Sequence, residues 1–142
     1  SELMNKAVYR SGEEMLKLLR HHRVDMIALA GYLKKVPAAV IDAYPRQILN
    51  IHPSLLPDFG GKGMYGMNVH KAVISSGVDF SGITIHYVDN IYDHGEIIFQ
   101  EKIAINPTWD AEKLQKAVLA LEHQHYPRII EKVASEIPFK LK

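Results

Sequence analysis

The chain has no cysteine, which excludes disulfide staples and thiolate chemistry and leaves the redox compartment open. It has no apolar run long enough to span a bilayer, and its opening Ser1-Glu2-Leu3 is not a signal peptide. It also lacks an excess of either charge: 17 basic against 16 acidic residues leave a net +1, and the lysines and arginines are scattered. That pattern gives no reason to expect nucleic acid or an anionic membrane as a partner. A cytoplasmic location is expected. What is present is ordinary for a folded domain, 47% hydrophobic and 23% charged residues, so intrinsic disorder is excluded. A length of 142 residues suits one domain spanning 1–142 and is short for two. The chain does not open on Met, and Met4-Asn5-Lys6 does not read as a natural start either. It therefore reads as a fragment, a processed product or part of a longer chain.

Hydrophobic periodicity lays out alternating helices and strands. Ser11-Gly12-Glu13-Glu14 has the form of a capping box opening a helix with Met15, Leu18 and Leu19 on one face. The apolar run 25–30 suits a strand buried on both sides, as in a parallel sheet. Pro37 can open a second helix over 38–43, and 47–52 is a second buried strand ended by Pro53. A Gly- and Pro-rich loop follows; Asn68 can then cap a helix closed by Gly77. Segments 80–88 and 96–100 read as a β-hairpin. A long helix starts at Trp109 or Asp110, and Pro127 is expected to kink or restart it. The fold expected is α/β: a Rossmann-like, mostly parallel sheet flanked by helices, with a C-terminal hairpin and long helix.

The most informative segment is Asn50-Ile51-His52-Pro53-Ser54-Leu55-Leu56-Pro57. Asn50 and His52 are two apart on a strand, so both side chains leave the same face, roughly 6–7 Å apart. They lie at the carboxyl end of a parallel strand, the edge where open α/β sheets bind ligands. Together they can aim an amide N–H and an imidazole N–H at one developing negative charge. The plainer alternative, in which Asn50 caps a turn and His52 is a satisfied core histidine, stays open on spacing alone. The loop Asp89-Asn90-Ile91-Tyr92-Asp93-His94-Gly95 carries two carboxylates, one of which can pair with His52 and favour its charged form. Nothing local chooses between Asp89 and Asp93, and on composition alone a simple turn is the favoured reading.

Three other signals carry less. Gly60-Gly61-Lys62-Gly63 lacks P-loop spacing and reads as a loop near the site. His123 and His125 diverge on a helix, so no metal site is expected. His21-His22 ends a helix, where a cation is favourable without any further role.

The segment 50–57, followed by His86-Tyr87-Val88 and Asp93-His94-Gly95-Glu96-Ile97-Ile98, resembles the signature of the enzymes that use 10-formyltetrahydrofolate. The resemblance runs from about Asp25 to Val133. Within that family, Leu29-Ala30-Gly31-Tyr32, the segment 66–73 and Glu122-His123-Gln124-His125-Tyr126-Pro127 resemble the branch that formylates glycinamide ribonucleotide for purine synthesis. The family implies a one-carbon transferase with 10-formyltetrahydrofolate as formyl donor, no metal, and only small-molecule partners.

Carried over residue by residue, the resemblance implies Asn50, His52 and Asp93 as the catalytic trio. His86 supports them from behind, and Glu122 touches the ribonucleotide. The folate would lie against Lys34, Lys35, Val36, Ile41, Leu49, Val88, Asp89, Asn90 and Ile91. Two departures stand out. The strand and Gly/Ser-rich turn that grip the phosphate in this family have no counterpart here, so the chain resembles the C-terminal part of the family domain, with the N-terminal strands missing. Lys34-Lys35 also replaces the common Arg followed by an aliphatic residue. Two rival readings follow. One keeps the chemistry and changes the acceptor, as in a formyltetrahydrofolate deformylase or a sugar-amine formyltransferase. The other is a folate-binding fragment without catalysis.

Overall fold

The computed structural model describes residues 12–32, 34–91 and 94–138. Helix α1 (Gly12–His21) carries Glu13 and Glu14 in its first turn and Arg20 and His21 in its last, each sign opposite to the helix-dipole end it faces. Met15 and Leu19, four apart, form its buried stripe. The proposed capping residue Ser11 lies outside the described residues. Strand β1 (Ile27–Leu29) follows, then α2 (Ala38–Ala43) with Pro37 at its N-cap, then β2 (Ile48–His52). Next come α3 (Met67–Ser76), β3 (Phe80–Tyr87), β4 (Ile97–Ala104) and α4 (Ala111–Glu136).

The four strands form one sheet in chain order. β1 and β2 run parallel, as the helix–strand alternation predicts, with Leu29 beside Asn50. β3 is antiparallel to β2 and β4 antiparallel to β3, so among the described residues the sheet is mixed. The reversal arises because the connection through α3 brings the chain back to the carboxyl end of β2, where β3 begins beside His52, and the hairpin then adds β4 at the edge.

Side-chain alternation sends the two faces of the sheet into different environments. Leu49, Ile51, Ile83 and Ile85 face one way and pack against Val69 and Val73 of α3 and Leu114, Val118, Ile129 and Val133 of α4. Ile27, Leu29 and Ile48 face the other way, against Met15 and Leu19 of α1 and Val40 of α2. Burying each such aliphatic side chain contributes on the order of 1.5–3 kcal/mol, so the core lies on both faces of the β1–β2 pair.

Two local expectations are corrected. Asn68 does not cap α3; the N-cap is Gly66, and the Asn68 amide instead donates to the Gly63 carbonyl at 3.1 Å. α4 is continuous through Pro127 rather than restarted, with its N-cap at Asp110 as expected. Pro127 frees the carbonyl of His123, which sits on an exposed turn where water can satisfy it. Burial of Tyr126, Ile129 and Val133 holds the helix in place on both sides of the proline. Gly77 does close α3, in a left-handed conformation with φ 74°.

Candidate active site

The cross-strand register gathers polar residues on one face of the sheet. Asn50 of β2 lies opposite His86 of β3, His52 opposite Thr84, and Thr84 opposite Gln100 of β4. A β-bulge between Ile85 and His86 interrupts the β3–β4 ladder beside this cluster, a common device for re-aiming side chains near a site.

Each member has a defined partner. His86 Nδ1 lies 2.8 Å from the Tyr87 carbonyl, which can only accept, so Nδ1 carries the proton. Nε2 is then the acceptor for the Asn50 amide, whose Nδ2 is 3.2 Å away. His86 thereby orients the Asn50 side chain, and the amide has a second N–H to offer a ligand. His52 is 4% exposed and its Nε2 donates to the Phe59 carbonyl at 2.7 Å, which fixes the plane of the ring. The loop that provides this carbonyl is itself held: Thr84 Oγ1 donates to the Ser54 carbonyl at 2.7 Å and accepts from Leu56 N–H at 3.0 Å. Gln100 Nε2 reaches both Thr84 Oγ1 and the Leu56 carbonyl, at 2.9 Å each. Leu55 packs over Gly82, where an added Cβ would come within 2.8 Å of its side chain and 2.0 Å of the Glu101 carbonyl oxygen.

A cleft of about 540 Å³ opens at the carboxyl ends of β1 and β2, a size typical of small-molecule sites. Asn50, His52 and His86 line it on the sheet side, and Glu122 enters from α4. Lys34, Lys35 and Val36 line it from the β1–α2 connection, and Val88, Asp89 and Ile91 from the end of β3. Leu49 and Ile41 do not belong to this wall. Leu49 is fully buried and its side chain faces α4, because odd-numbered positions of β2 point into that core. Ile41 packs against the second core. Asn90 is adjacent to the cleft in sequence but is not among its walls. Asp93 lies outside the described residues.

Removal from water raises the Glu122 carboxyl in the cleft to about 7. Asp89 is engaged locally, accepting from Ile91 N–H at 2.8 Å and lying 2.9 Å from His94 Nδ1. Burial acts to raise its carboxyl, but these two partners outweigh that and hold it below the usual carboxylate range. Gly61, Lys62 and Gly63 join the cleft wall, so the glycine-rich loop borders the site. His125 turns away, with its ring 5.1 Å from Phe99 and Nδ1 bonded to Arg128.

Sequence reasoning missed His70, which is 3% exposed, lines the cleft and is held toward its neutral form, first by burial and then by nearby His52. Its place one residue after Val69 and three before Val73 on the inner stripe of α3 is the signal that would have found it. Gln115 and Leu119 were missed as well; they share the cleft-facing side of α4 with Glu122 at three- and four-residue spacing.

Comparison with known proteins agrees with this fold. The family model described as formyl transferase matches residues 3–130. The chloroplastic phosphoribosylglycinamide formyltransferase of Vigna unguiculata is 51% identical over 123 residues, covering 87% of this chain and 39% of that protein. The phosphoribosylglycinamide formyltransferase of Bacillus subtilis (strain 168) is 39% identical over 129 residues, covering 91% of this chain and 63% of that protein. The crystal structure of phosphoribosylglycinamide formyltransferase from Bacillus halodurans superposes with a TM-score of 0.80 at 37% identity, over 89% of this chain and 65% of that one. The chain thus spans 39% to 65% of the length of these relatives. With the family model covering most of its length and the polar pair of β2 at the mouth of a ligand-sized cleft, the chain belongs to the formyl transferase family.

Proposed function

We propose that the chain carries the catalytic and donor-binding part of an enzyme that moves the formyl group of 10-formyltetrahydrofolate to the amine of glycinamide ribonucleotide, a step of purine biosynthesis. The observation that carries this reading is the shared orientation of Asn50 and His52 at the carboxyl end of β2, facing a cleft that Glu122 enters from the opposite side. The names of the relatives support the choice of acceptor.

In this reading both small molecules are substrates consumed in each turnover. The formyl donor takes the side bounded by Lys34, Lys35, Val36, Val88, Asp89 and Ile91, where apolar walls suit a flat ring and the lysines suit its carboxylates. The ribonucleotide takes the side of Glu122. Its amine attacks the formyl carbon, and negative charge develops on the carbonyl oxygen. Asn50 donates a hydrogen bond to that oxygen, and so does His52 through Nδ1 of its doubly protonated ring, because Nε2–H is held by the Phe59 carbonyl. Such a donor is worth ~3 kcal/mol or more of barrier. The amine proton passes through water to a carboxylate, the role proposed for Asp93 on sequence resemblance. The bond from the formyl carbon to the folate nitrogen then breaks, and that nitrogen takes up a proton.

The test is formyl transfer by the longest natural polypeptide containing these residues, with glycinamide ribonucleotide present and with water as the only acceptor. Formylated ribonucleotide is the expected product. Formate released at the same rate without the ribonucleotide would move the protein to the deformylase reading.

A further inference from the structure

Tyr126 of α4 has a role that the proposed reaction does not use. Its ring is buried, and its hydroxyl donates to the Leu29 carbonyl at 2.7 Å, with the Leu49 carbonyl 3.4 Å away. These carbonyls belong to β1 and β2, the two parallel strands whose carboxyl ends floor the cleft. Leu29 is the last residue of β1, and the Leu49 carbonyl is in the peptide that leads directly into Asn50. One hydroxyl therefore ties the helix to both strand ends, 97 and 77 residues away in the chain.

The tie comes beside a gap in the hydrogen-bond ladder of α4. Pro127 follows immediately and cannot donate the backbone hydrogen bond that an ordinary residue would give to the His123 carbonyl. One turn earlier, and so on the same side of the helix, Glu122 reaches into the cleft. Glu122 is also felt at Tyr126: burial foremost raises its phenol, the bond to the Leu29 carbonyl lowers it, and the nearby Glu122 carboxylate raises it.

We propose that Tyr126 is a positioning residue: by fastening α4 to the ends of β1 and β2, its hydroxyl holds Glu122 at a set height above Asn50 and so acts on binding of the acceptor. The proposal rests on the reading of Glu122 as the residue that meets the ribonucleotide. Loss of the hydroxyl leaves the fold intact but lets α4 shift, which weakens the acceptor side and spares the donor side.

The experiment compares Tyr126→Phe, Glu122→Gln and the double variant in the longest natural polypeptide, measuring KM for glycinamide ribonucleotide and for 10-formyltetrahydrofolate separately. Tyr44→Phe is the control, because it removes another hydroxyl, partly buried and bonded to the Val24 carbonyl at 2.9 Å on the side away from the cleft. All variants are assayed at a temperature where circular dichroism shows them folded. Y126F is expected to raise the ribonucleotide KM about tenfold, the effect of losing one buried hydrogen bond. The donor KM should stay within about twofold in Y126F, and Y44F should change neither. In the E122Q background, Y126F should add less than about twofold to the ribonucleotide KM. Independent, multiplying effects of Y126F and E122Q, or equal changes in both KM values, would overturn the positioning role while leaving the Glu122 reading intact. An E122Q variant with unchanged ribonucleotide KM would overturn both.

Discussion

Asn50 and His86 face each other across β2 and β3, and the amide nitrogen of one lies 3.2 Å from an imidazole nitrogen of the other. The Tyr87 carbonyl holds the proton on the far side of the His86 ring, so the near side accepts and the amide must present its N–H₂ group there. An asparagine side chain otherwise has two orientations of nearly equal energy. His86 selects one of them.

His86→Ala should therefore disable Asn50 without removing it. The expected outcome is a fall in kcat of roughly ten- to a hundredfold, the effect of leaving a buried group unpartnered, with a change in donor KM of less than about threefold. His86→Gln, which restores an acceptor oxygen, should recover part of the loss in steady-state assays. Equal damage from both variants would mean that ring packing, not the hydrogen bond, is what matters.

Thr84 performs a comparable task for His52. Its hydroxyl bridges the Ser54 carbonyl, the Leu56 N–H and Gln100, and so pins the loop whose Phe59 carbonyl holds the His52 ring. Thr84→Val keeps the shape and removes the bridge, and should cost about 1–3 kcal/mol in urea unfolding. Hydrogen exchange at Leu56 should accelerate in parallel. An unchanged unfolding midpoint would show that the loop is held by other contacts.

Glu122 gives stability an unusual pH dependence. Its carboxyl sits at about 7 in the folded chain against an ordinary 4.5, so between these values the folded state holds a proton that the unfolded state has released. Stability contributed by this group is therefore lost as pH rises from about 4.5 and levels off above about 7. Glu122→Gln abolishes the penalty. The melting temperature of the variant, relative to the parent, should increase between pH 5 and pH 8 in thermal melts. A constant difference across that range would mean that Glu122 is better solvated than its position suggests.

Much of this site was legible before the structure, and the reasons are physical. That Asn50 and His52 share a face follows from the two-residue period of a strand, which depends on nothing distant. Resemblance named His86 as their support, but its pairing with Asn50 and that of Thr84 with His52 were not legible, because the register of β2 against β3 is set across the long connection through α3. Leu49, assigned to the folate wall by resemblance, has its side chain in the core under α4, as the same local alternation against Asn50 requires. Pro127 reads locally as a break, yet packing of Ile129 and Val133 carries the helix past it. The burial of Glu122 could not be read from an exposed-looking Glu-His-Gln-His stretch, since it depends on how α4 docks over the strand ends.

Replacing Asn50 by Ala and following formyl transfer from 10-formyltetrahydrofolate to glycinamide ribonucleotide tests the central assignment most directly. Transfer is expected to fall by roughly a hundredfold or more, while equilibrium binding of the donor changes little, because the lost N–H acts on charge that exists only during the reaction. Undiminished transfer in the folded variant would contradict the assignment of this cleft as the catalytic centre.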